Sequence, residues 1–468
     1  MNPVCLASMK DELLKIAEKT LRERSTEAAP YVGGAATAGL AASLVGAKSK
    51  NVPVGTGEIL IYYTDPKRGH GHYAQGKALA NRLKKRGHEV RLINFDKEFG
   101  DPEKLKSLNE SFGKALRGEK SRASHITTHH LPFYASIDFK ALKRQAGGDK
   151  RVVLAHAGLE AFVRGLEKPV FVLHTDQSAW NNPFIDIPAK SMGKANIHIA
   201  PATAVQGIEA QTPSLKGRVL SSPGLAIDEP TRRIRSTLRK KGRFNITVSG
   251  GGLGLNTVDM TKAILARSDL KKGTVIHAVA GRGLNYGALK KLEEATKGKK
   301  VQVRAYGFAP LRNMMNEADL NILRPHGTSI TEARAARKPF LMYLPKGKTS
   351  GVDVSNAKAV SGAYGVPVVD VDSLGEAVKR VSSNYSSELK KAKKYGLGVT
   401  GGADDIAKGI ERTKTVKMLG RSGLRWNLGR AALASLALGA GAGYAYENRL
   451  QLLPSKKNPK VKRWQRKQ

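Results

Sequence analysis

The chain has 468 residues, 40% of them hydrophobic, which is enough for two cores of ordinary size. Its 80 Lys and Arg residues outnumber the 39 Asp and Glu residues and give a formal net charge of +41 at pH 7. A charge this large favours an anionic partner, and nucleic acid, anionic lipid headgroups and a sugar nucleotide are all candidates. The single cysteine, Cys5, excludes a disulfide framework and a cysteine-based metal site, and it favours a reducing compartment.

The two ends of the chain differ in composition from its middle. Residues 1–29 carry acidic and basic side chains in helical spacing, which predicts an amphipathic helix rather than a secretory signal peptide. Residues 28–47 and 431–446 are uncharged and rich in Gly and Ala, and they predict apolar helices near both termini. Because Lys and Arg border both stretches, we expect attachment to an anionic membrane surface at its cytoplasmic face. The alternative is that both helices pack on the protein itself.

Between these ends, apolar strands alternate with helices, a pattern that predicts parallel sheets covered on both faces. The first series of predicted strands lies at residues 58–64, 89–95, 151–155, 169–174 and 197–200, with a helix at 73–86. The second series lies at residues 244–249, 274–280, 301–306, 320–323, 340–344 and 366–371. Residues 228–243, which are highly charged, resemble a linker between the two series. We therefore predict an α/β protein with two doubly wound, Rossmann-like domains and a cleft between them.

The predicted organisation has four parts, namely an N-terminal extension at residues 1–50, domains at 51–232 and 233–413, and a basic C-terminal extension at 414–468. Residues 101–149 are basic and His-rich, and they show no clear periodicity. The histidines of this segment, His125, His129 and His130, lack accompanying cysteines or an acidic cluster, so we predict no metal site there.

A first glycine-rich loop, Gly-His-Gly-His at residues 69–72, separates a predicted strand from a helix. Backbone N–H groups at a helix N-terminus attract anions, and His72 is placed to project into the same crevice. An imidazole is a natural general base for an acceptor hydroxyl because its pKa lies near neutrality. The alternative interpretation is a tight turn.

A second loop, Ser-Gly-Gly-Gly-Leu-Gly at residues 249–254, follows the first strand of the second domain, where its glycines would let a diphosphate approach the main chain. It lacks the Gly-Lys-Ser/Thr ending of a P-loop. A third loop, at residues 324–333, contains Gly327, Thr328 and Ser329 at a helix start, with Glu332 placed to accept hydrogen bonds from ribose hydroxyls. Ser329 and Glu332 also have the S-x-x-E spacing of a helix capping box, which is the competing interpretation.

These segments together resemble a known family. GHGHYAQGKALANRLKKRGHEV (residues 69–90) is similar to the acceptor-domain opening of monogalactosyldiacylglycerol synthases, processive diacylglycerol glucosyltransferases and the undecaprenyl-linked N-acetylglucosaminyltransferase of peptidoglycan synthesis. LHTDQSAW, SSPGLAI and ITVSGGGLG resemble later segments of the same enzymes in the same order. Residues 303–345 resemble the family's nucleotide-sugar signature throughout their length, and the resemblance as a whole covers residues 57–412.

The resemblance implies a GT-B fold, with a lipid acceptor on the N-terminal half and a UDP-sugar on the C-terminal half. It makes His72 the residue that deprotonates or binds the acceptor, with Asp176 as an alternative base and with His70 and Gly71 beside the acceptor. It implies an inverting reaction in which UDP departs onto helix dipoles, so that no metal or other cofactor is obligatory. The residues that it assigns to the UDP-sugar are Gly251, Gly252, Gly281, Arg282, Phe308 at the uracil, His326, Gly327, Thr328 and Ser329 at the diphosphate, Glu332 at the ribose, and Asn356.

The sequence departs from the family pattern at three points. His326 stands where the family usually has a second glycine, and Ala226 replaces a usual proline. The Gly-Gln-Glu element that normally meets the donor sugar is absent before Asn356, where the chain reads KGKTSGVDVSN. The identity of the sugar is therefore not assigned.

Three functions follow as hypotheses. The first is transfer of a hexose from a UDP-sugar to a membrane lipid such as diacylglycerol, which also accounts for the apolar ends and the charge. The second is glycosylation of nucleic acid, since a strongly basic chain binds phosphate backbones, although an aromatic content of 6% is low for a single-strand stacking surface. The third is a membrane- or particle-associated structural protein that keeps the fold without turnover.

Overall fold

A computed structural model describes residues 49–68, 70–116, 129, 131–161, 163, 166, 168–178, 196–211, 215–227, 242–267, 269–281, 285–346, 351–396, 399 and 402–419. The predicted N-terminal helix, both apolar stretches, most of the predicted linker, His125, His130 and Arg282 lie outside these residues. Among the residues that are described, no helix has both the length and the apolar character needed to cross a membrane.

The strands are β1 (Ser49–Pro53), β2 (Ile59–Tyr63), β3 (Val90–Asn94), β4 (Arg151–Leu154), β5 (Phe171–Leu173), β6 (Ile197–Pro201), β7 (Val219–Ser222), β8 (Phe244–Ser249), β9 (Thr274–Val279), β10 (Val301–Tyr306), β11 (Leu320–Leu323), β12 (Phe340–Tyr343), β13 (Val368–Val369) and β14 (Thr415–Leu419). The helices are α1 (His70–Lys85), α2 (Phe95–Phe99), α3 (Pro102–Leu116), α4 (Leu131–Ala135), α5 (Phe139–Ala146), α6 (Ala202–Gln211), α7 (Thr257–Leu265), α8 (Tyr286–Thr296), α9 (Leu311–Glu317), α10 (Gly327–Ala336), α11 (Gly351–Tyr364), α12 (Leu374–Ser383), α13 (Tyr385–Tyr395) and α14 (Gly402–Arg412).

Two six-stranded parallel sheets form the two domains, as the alternating pattern predicts. The strand order is β3-β2-β4-β5-β6-β7 in the first sheet and β10-β9-β8-β11-β12-β13 in the second. Each order reverses once, between β2 and β4 in the first sheet and between β8 and β11 in the second. In open parallel sheets such a switch point leaves a crevice at the carboxyl ends of the strands, and ligands bind there.

Burial on both faces explains why these strands are apolar without alternation. In β2, Leu60 and Tyr62 pack into the core on one face of the first sheet. Ile59 and Ile61 of the same strand pack into the core on the opposite face, against helix α1. Since successive side chains of a strand point to opposite faces, a run of apolar residues places every side chain in one core or the other.

The region that shows no clear period in the sequence, residues 101–149, is largely helical where it is described, and contains α3, α4 and α5. Phe133 and Leu142 from this region are buried in the first domain's core, with exposed fractions of 0% and 1%. α4 and α5, with five and eight residues, carry too few turns for a periodic pattern to stand out, whereas α3 has 15 residues.

The last described helix, α14, packs on the first sheet although it lies within the predicted second-domain range. Ile406, Ala407 and Ile410 belong to the same buried core as Ile59 of β2. Beyond α14, β14 pairs with β1 in an antiparallel ribbon in which Ser49 lies opposite Leu419. The chain therefore returns to its first domain after completing the second. The predicted domain boundaries otherwise remain predictions.

Candidate active site in the interdomain cleft

The carboxyl ends of the strands in both sheets open onto one cleft between the domains. Its volume is about 1370 Å³, and residues of both domains line it. The loops that follow β2 and β5 meet there with the loops that follow β8 and β11, which are the strands at the second sheet's switch point. Thirteen of the fifteen predicted site residues line this cleft, namely His70, Gly71, His72, Asp176, Gly251, Gly252, Gly281, Phe308, His326, Gly327, Thr328, Ser329 and Glu332.

Two helix N-termini face each other across the cleft. α1 begins at His70 and α10 begins at Gly327, and a Cβ on Gly71 would lie 3.1 Å from the Oγ1 of Thr328. A Cβ on Gly327 would collide with the carbonyl oxygen of Thr175, so this first-domain loop touches the start of α10 directly. Each N-terminus carries a partial positive charge and unsatisfied N–H groups. Their convergence makes this part of the cleft suitable for an anion.

His72 is held from two sides. Its Nδ1 lies 2.7 Å from the Oγ1 of Thr64, and its ring stacks on His156 with 4.0 Å between the ring centres. If Nδ1 carries the proton and donates it to Thr64, Nε2 is an acceptor, which is the tautomer that a general base needs. Sequence reasoning missed Thr64 and His156, although Thr64 ends one predicted strand, His156 follows another, and the carboxyl ends of these strands must meet.

Asp176 also lines the cleft, where its Oδ1 accepts a hydrogen bond of 3.1 Å from the Nδ2 of Asn356. Burial raises the pKa of the Asp176 carboxyl above its ordinary value, and this effect outweighs the stabilising hydrogen bond from Asn356. A carboxylate with a raised pKa is a stronger proton acceptor, so both predicted bases remain chemically competent.

The glycine-rich loop after β8 passes close to neighbouring segments of the second domain. Gly251 has φ +78°, and a Cβ there would lie 2.9 Å from the Cδ2 of His326. Gly281 has φ +64°, and a Cβ there would lie 2.6 Å from the carbonyl oxygen of Gly252. A side chain at either position would push the loop away from β11 or β9. The glycines therefore allow the main chain to line the cleft floor.

The capping-box interpretation of Ser329 and Glu332 is wrong, because α10 starts three residues earlier than that motif requires. His326 is the N-cap residue, with its side chain making no capping hydrogen bond, and Ser329 lies inside the first turn. The Glu332 side chain is half-buried and lines the cleft. Glu332 is therefore accessible to a ligand in the cleft.

A buried acidic residue that sequence reasoning missed holds the loop after β11. The Oδ2 of Asp353 accepts a hydrogen bond of 2.6 Å from the Nε of Arg324, and its Oδ1 lies 3.4 Å from the Nδ1 of His326. The Asp353 side chain is only 1% exposed, whereas that of His326 is 40% exposed toward the cleft. Partial burial of the ring lowers the pKa of His326, although the Asp353 carboxylate opposes that effect.

Phe308 stands at the rim of the cleft, with an exposed fraction of 59%. Its ring meets that of His70 edge to face, at 5.5 Å between centres. An exposed aromatic ring beside a polar cleft offers a surface on which a flat heterocycle can stack.

Asn356 does not reach the cleft. It is fully buried and joins the domains, because its Oδ1 accepts hydrogen bonds from the backbone N of Gln177 (2.9 Å) and the Oγ of Ser178 (3.1 Å). Its Nδ2 donates to Asp176 and to the carbonyl oxygen of Pro325. The structure therefore gives Asn356 a positioning role behind the predicted donor site. Gln177, which sequence reasoning missed, strengthens the same joint by donating to the Oγ1 of Thr331 at 2.7 Å.

The described residues contain no group of three or more His, Cys, Asp or Glu side chains placed to hold a metal ion. His129, from the histidine run of the first domain, lies 3.0 Å from the Oγ of Ser107 through its Nδ1.

No protein-family model and no curated protein matches the sequence of the chain. Solved structures do match its fold. MurG from Acinetobacter baumannii aligns over 76% of this chain and 99% of its own, at 14% identity and a TM-score of 0.50. The glycosyltransferase SnogD from Streptomyces nogalater aligns over the same shares, at 16% identity and a TM-score of 0.50. The chain has the GT-B fold. Arabidopsis thaliana UGT89C1, complexed with quercetin, has a TM-score of 0.50 at 10% identity, over 75% of this chain and 99% of its own.

Proposed function

We propose that the chain is an inverting glycosyltransferase that moves a hexose from a UDP-sugar to a membrane lipid such as diacylglycerol. The observation that carries this proposal is the meeting of the α1 and α10 N-termini in a cleft that also holds His72 and Glu332. A sugar nucleotide needs an anion site, a ribose contact and a nearby base, and these features lie within one cavity.

The donor would lie against the second domain. The N–H groups of Gly327, Thr328 and Ser329 at the start of α10 suit a diphosphate, because hydrogen bonds and the helix dipole both favour negative charge there. The carboxylate of Glu332, one turn further along, would accept hydrogen bonds from the ribose hydroxyls. Phe308 at the rim offers a ring for the uracil.

The reaction would be a single displacement. His72, oriented by Thr64, takes the proton from the acceptor hydroxyl while the hydroxyl oxygen attacks the anomeric carbon. The bond between the anomeric carbon and the diphosphate oxygen breaks, and UDP departs with the bonding electron pair. Attack from the face opposite to UDP inverts the anomeric configuration. The two helix N-termini stabilise the charge that develops on the leaving diphosphate.

The acceptor assignment is supported by charge and by the family resemblance. Lys77, Lys84 and Lys85 of α1 are exposed and line the cleft, where they would favour an anionic membrane surface. The sequence adds basic, small-residue stretches at both ends of the chain. A cytoplasmic membrane face is the proposed location.

One set of assays tests the proposal. The protein is incubated with radiolabelled UDP-glucose or UDP-galactose, together with diacylglycerol liposomes or duplex DNA. We expect label to enter the lipid fraction. Label on the DNA would contradict the lipid acceptor, and failure of every UDP-sugar to shift the melting temperature would instead favour a structural role without turnover.

A further inference from the structure

Three turns at the amino edge of the second sheet carry a concentration of basic side chains. β8, β9 and β10 are parallel and in register, so Phe244, Thr274 and Val301 start neighbouring strands at one level. The turns that enter these strands, residues 242–243, 271–273 and 297–300, are together called the basic edge. Its basic residues are Arg243, Lys271, Lys272, Lys297, Lys299 and Lys300.

The turns of the basic edge lie side by side: a hydrogen bond joins the turns at 271–273 and 297–300, and the turn at 242–243 is next to Gly273. The backbone N of Gly273 donates to the carbonyl oxygen of Lys300 at 3.0 Å, and the N of Thr274 donates to the carbonyl oxygen of Lys271 at 3.1 Å. A Cβ on Gly273 would lie 3.5 Å from the carbonyl oxygen of Gly242, in the turn at residues 242–243. Neighbouring strands lie about 4.8 Å apart, so the three turns form a fixed row roughly 10 Å wide.

A pocket of about 260 Å³ lies between the turns. Its polar lining comes from Arg243, Lys272, Thr274, Lys299, Lys300 and Gln302, and no carboxylate of the described residues lines it. Of the acidic residues near these turns, Glu294 is exposed three residues before Lys297, and two others are engaged in ion pairs. Asp269 pairs with Arg267 and Lys379, and Glu293 pairs with Lys290. The basic edge therefore has an excess of positive charge that favours an external anion.

The composition of the surface distinguishes between two kinds of anionic partner. Amphipathic segments that lie in a membrane interface combine basic residues with apolar side chains that insert among the lipids. The large hydrophobic side chains exposed in the described part of the chain are Phe139, Tyr286, Phe308, Val368 and Val371. None of these belongs to the basic edge, whose turns and pocket are lined mainly by Lys, Arg, Gly, Thr and Gln. A hydrophilic partner with closely spaced phosphates fits this surface better than a lipid bilayer does.

We propose that the basic edge binds the phosphate backbone of a nucleic-acid duplex, without sequence preference. Duplex DNA presents one negative charge per about 1.7 Å of helix axis, so a row of three basic turns can meet several phosphates at once. The cleft lies at the opposite, carboxyl edge of the sheet, so a duplex bound here leaves it open. This inference does not depend on the proposed sugar transfer.

The test uses the full-length chain and a short fluorescein-labelled DNA duplex of mixed sequence, with binding followed by fluorescence anisotropy over a range of salt concentrations. The test variant carries Lys271→Gln, Lys272→Gln and Lys299→Gln. The matched control carries Lys390→Gln, Lys393→Gln and Lys394→Gln on α13, which are exposed lysines of the same domain. Both variants lose the same charge, so the basic ends of the chain and the overall charge are held constant between them. Vesicles containing phosphatidylserine form a parallel arm.

We expect the parent and the control to bind the duplex with similar salt dependence. For the test variant, the slope of log affinity against log salt should fall by roughly three, because each substituted lysine would otherwise neutralise one phosphate. A second duplex of different sequence should give the same result. Equal slopes for the two variants, or absence of DNA binding by the parent, would overturn the proposal. It would also be overturned if the test variant bound vesicles more weakly than the control but bound DNA equally well.

Discussion

At the scale of single residues, the structure explains how a histidine at a helix start becomes a directed base. His72 lies in the first turn of α1, where its Nδ1 contacts Thr64 and its ring stacks on His156. Both contacts come from segments that follow β2 and β4, the strands that flank the switch point of the first sheet. The ring orientation therefore depends on sheet topology as well as on local sequence.

Replacement of His72 by Ala should lower kcat for sugar transfer by roughly 10²–10⁴-fold, the usual contribution of a general base. Thr64→Val should lower kcat by about tenfold, because it removes one orienting hydrogen bond, while Thr64→Ser should retain most activity. Steady-state kinetics with the UDP-sugar and acceptor vesicles measure these effects. UDP affinity, measured by calorimetry, should be unchanged in all three variants. A His72→Ala variant with parental kcat would assign the base to another group, with Asp176 as the next candidate.

Site residues that can be predicted from sequence alone are those whose chemistry is visible within one short segment, such as His72 in its Gly-His-Gly-His loop. Residues that act through distant partners escape such reasoning. Asp353 is recognised only through Arg324, which is 29 positions away, and His156 only through His72. The resemblance assigns Asn356 to the donor, but its hydrogen bonds to Gln177 and Ser178 place it at the domain joint. No local pattern encodes such pairings.

At the scale of elements, the joint between α11 and the loop after β5 depends on one buried amide. Asn356→Ala would leave the N–H of Gln177 and the carbonyl of Pro325 without this partner, at a cost of about 1–3 kcal/mol for each group left unsatisfied. We expect a lower melting temperature and weaker UDP binding, because the walls of the cleft are no longer held together. Asn384→Ala, at an exposed position, is the control. Equal melting temperatures for the two variants would show that Asn356 does not stabilise the joint.

The return helix α14 is clamped to α1 by ion pairs. Glu411 accepts from Arg86 at 2.5 Å and lies 2.8 Å from the Nε2 of His88, while Asp404 pairs with Arg82 at 2.7 Å. The apolar side of α14 is buried through Ile406, Ala407 and Ile410. These contacts tie the end of the second domain's chain to the first domain.

This clamp predicts a dependence of stability on pH. The hydrogen bond from Arg86, assisted by His88, lowers the pKa of Glu411 from 4.5 to about 2. A lowered folded-state pKa means that the contribution is fully present above pH 4.5 and is lost as the pH falls to about 2. The difference in unfolding free energy between the parent and Glu411→Gln should therefore shrink over this window. Glu376→Gln, at a side chain 65% exposed, should show little change, and a constant difference for Glu411→Gln would refute the clamp's electrostatic role.

Most strands of the two sheets can be predicted from sequence within a few residues of their observed bounds, because doubly buried strands have an apolar run that no helix of that length shares. Three strands, β7 of the first sheet and the paired strands β1 and β14, cannot be predicted in this way. β7 has only a partly buried pattern, and β1 and β14 contain polar and basic residues that pair with each other across almost the whole described chain. Their pairing follows from the tertiary fold rather than from local propensity.

At the scale of the whole molecule, two open sheets face each other through their switch points, which is why residues far apart in sequence share one cleft. Basic side chains line this cleft, and a second set lies at the basic edge, which is the amino edge of the second sheet. The composition predicts an anionic partner, but only the fold separates these two surfaces.

Because the cleft and the basic edge lie at opposite edges of the second sheet, we expect UDP and DNA to bind independently of each other. Addition of a DNA duplex at low salt should leave UDP affinity within about twofold of its value without DNA, since a site with no differential contact cannot shift a binding equilibrium. Calorimetric titration of UDP with and without the duplex measures this. Strong competition between the two ligands would show that DNA enters the cleft.

Isothermal calorimetry, with UDP titrated into the parent chain and into Glu332→Ala, tests whether the cleft binds a UDP-sugar through α10. We expect the parent to bind and the variant to lose roughly tenfold or more in affinity, because a charged hydrogen-bond acceptor for the ribose is removed. Glu332→Gln should lie between them. Absence of UDP binding by the parent, or equal binding by Glu332→Ala, would contradict the assignment of the UDP-sugar to α10.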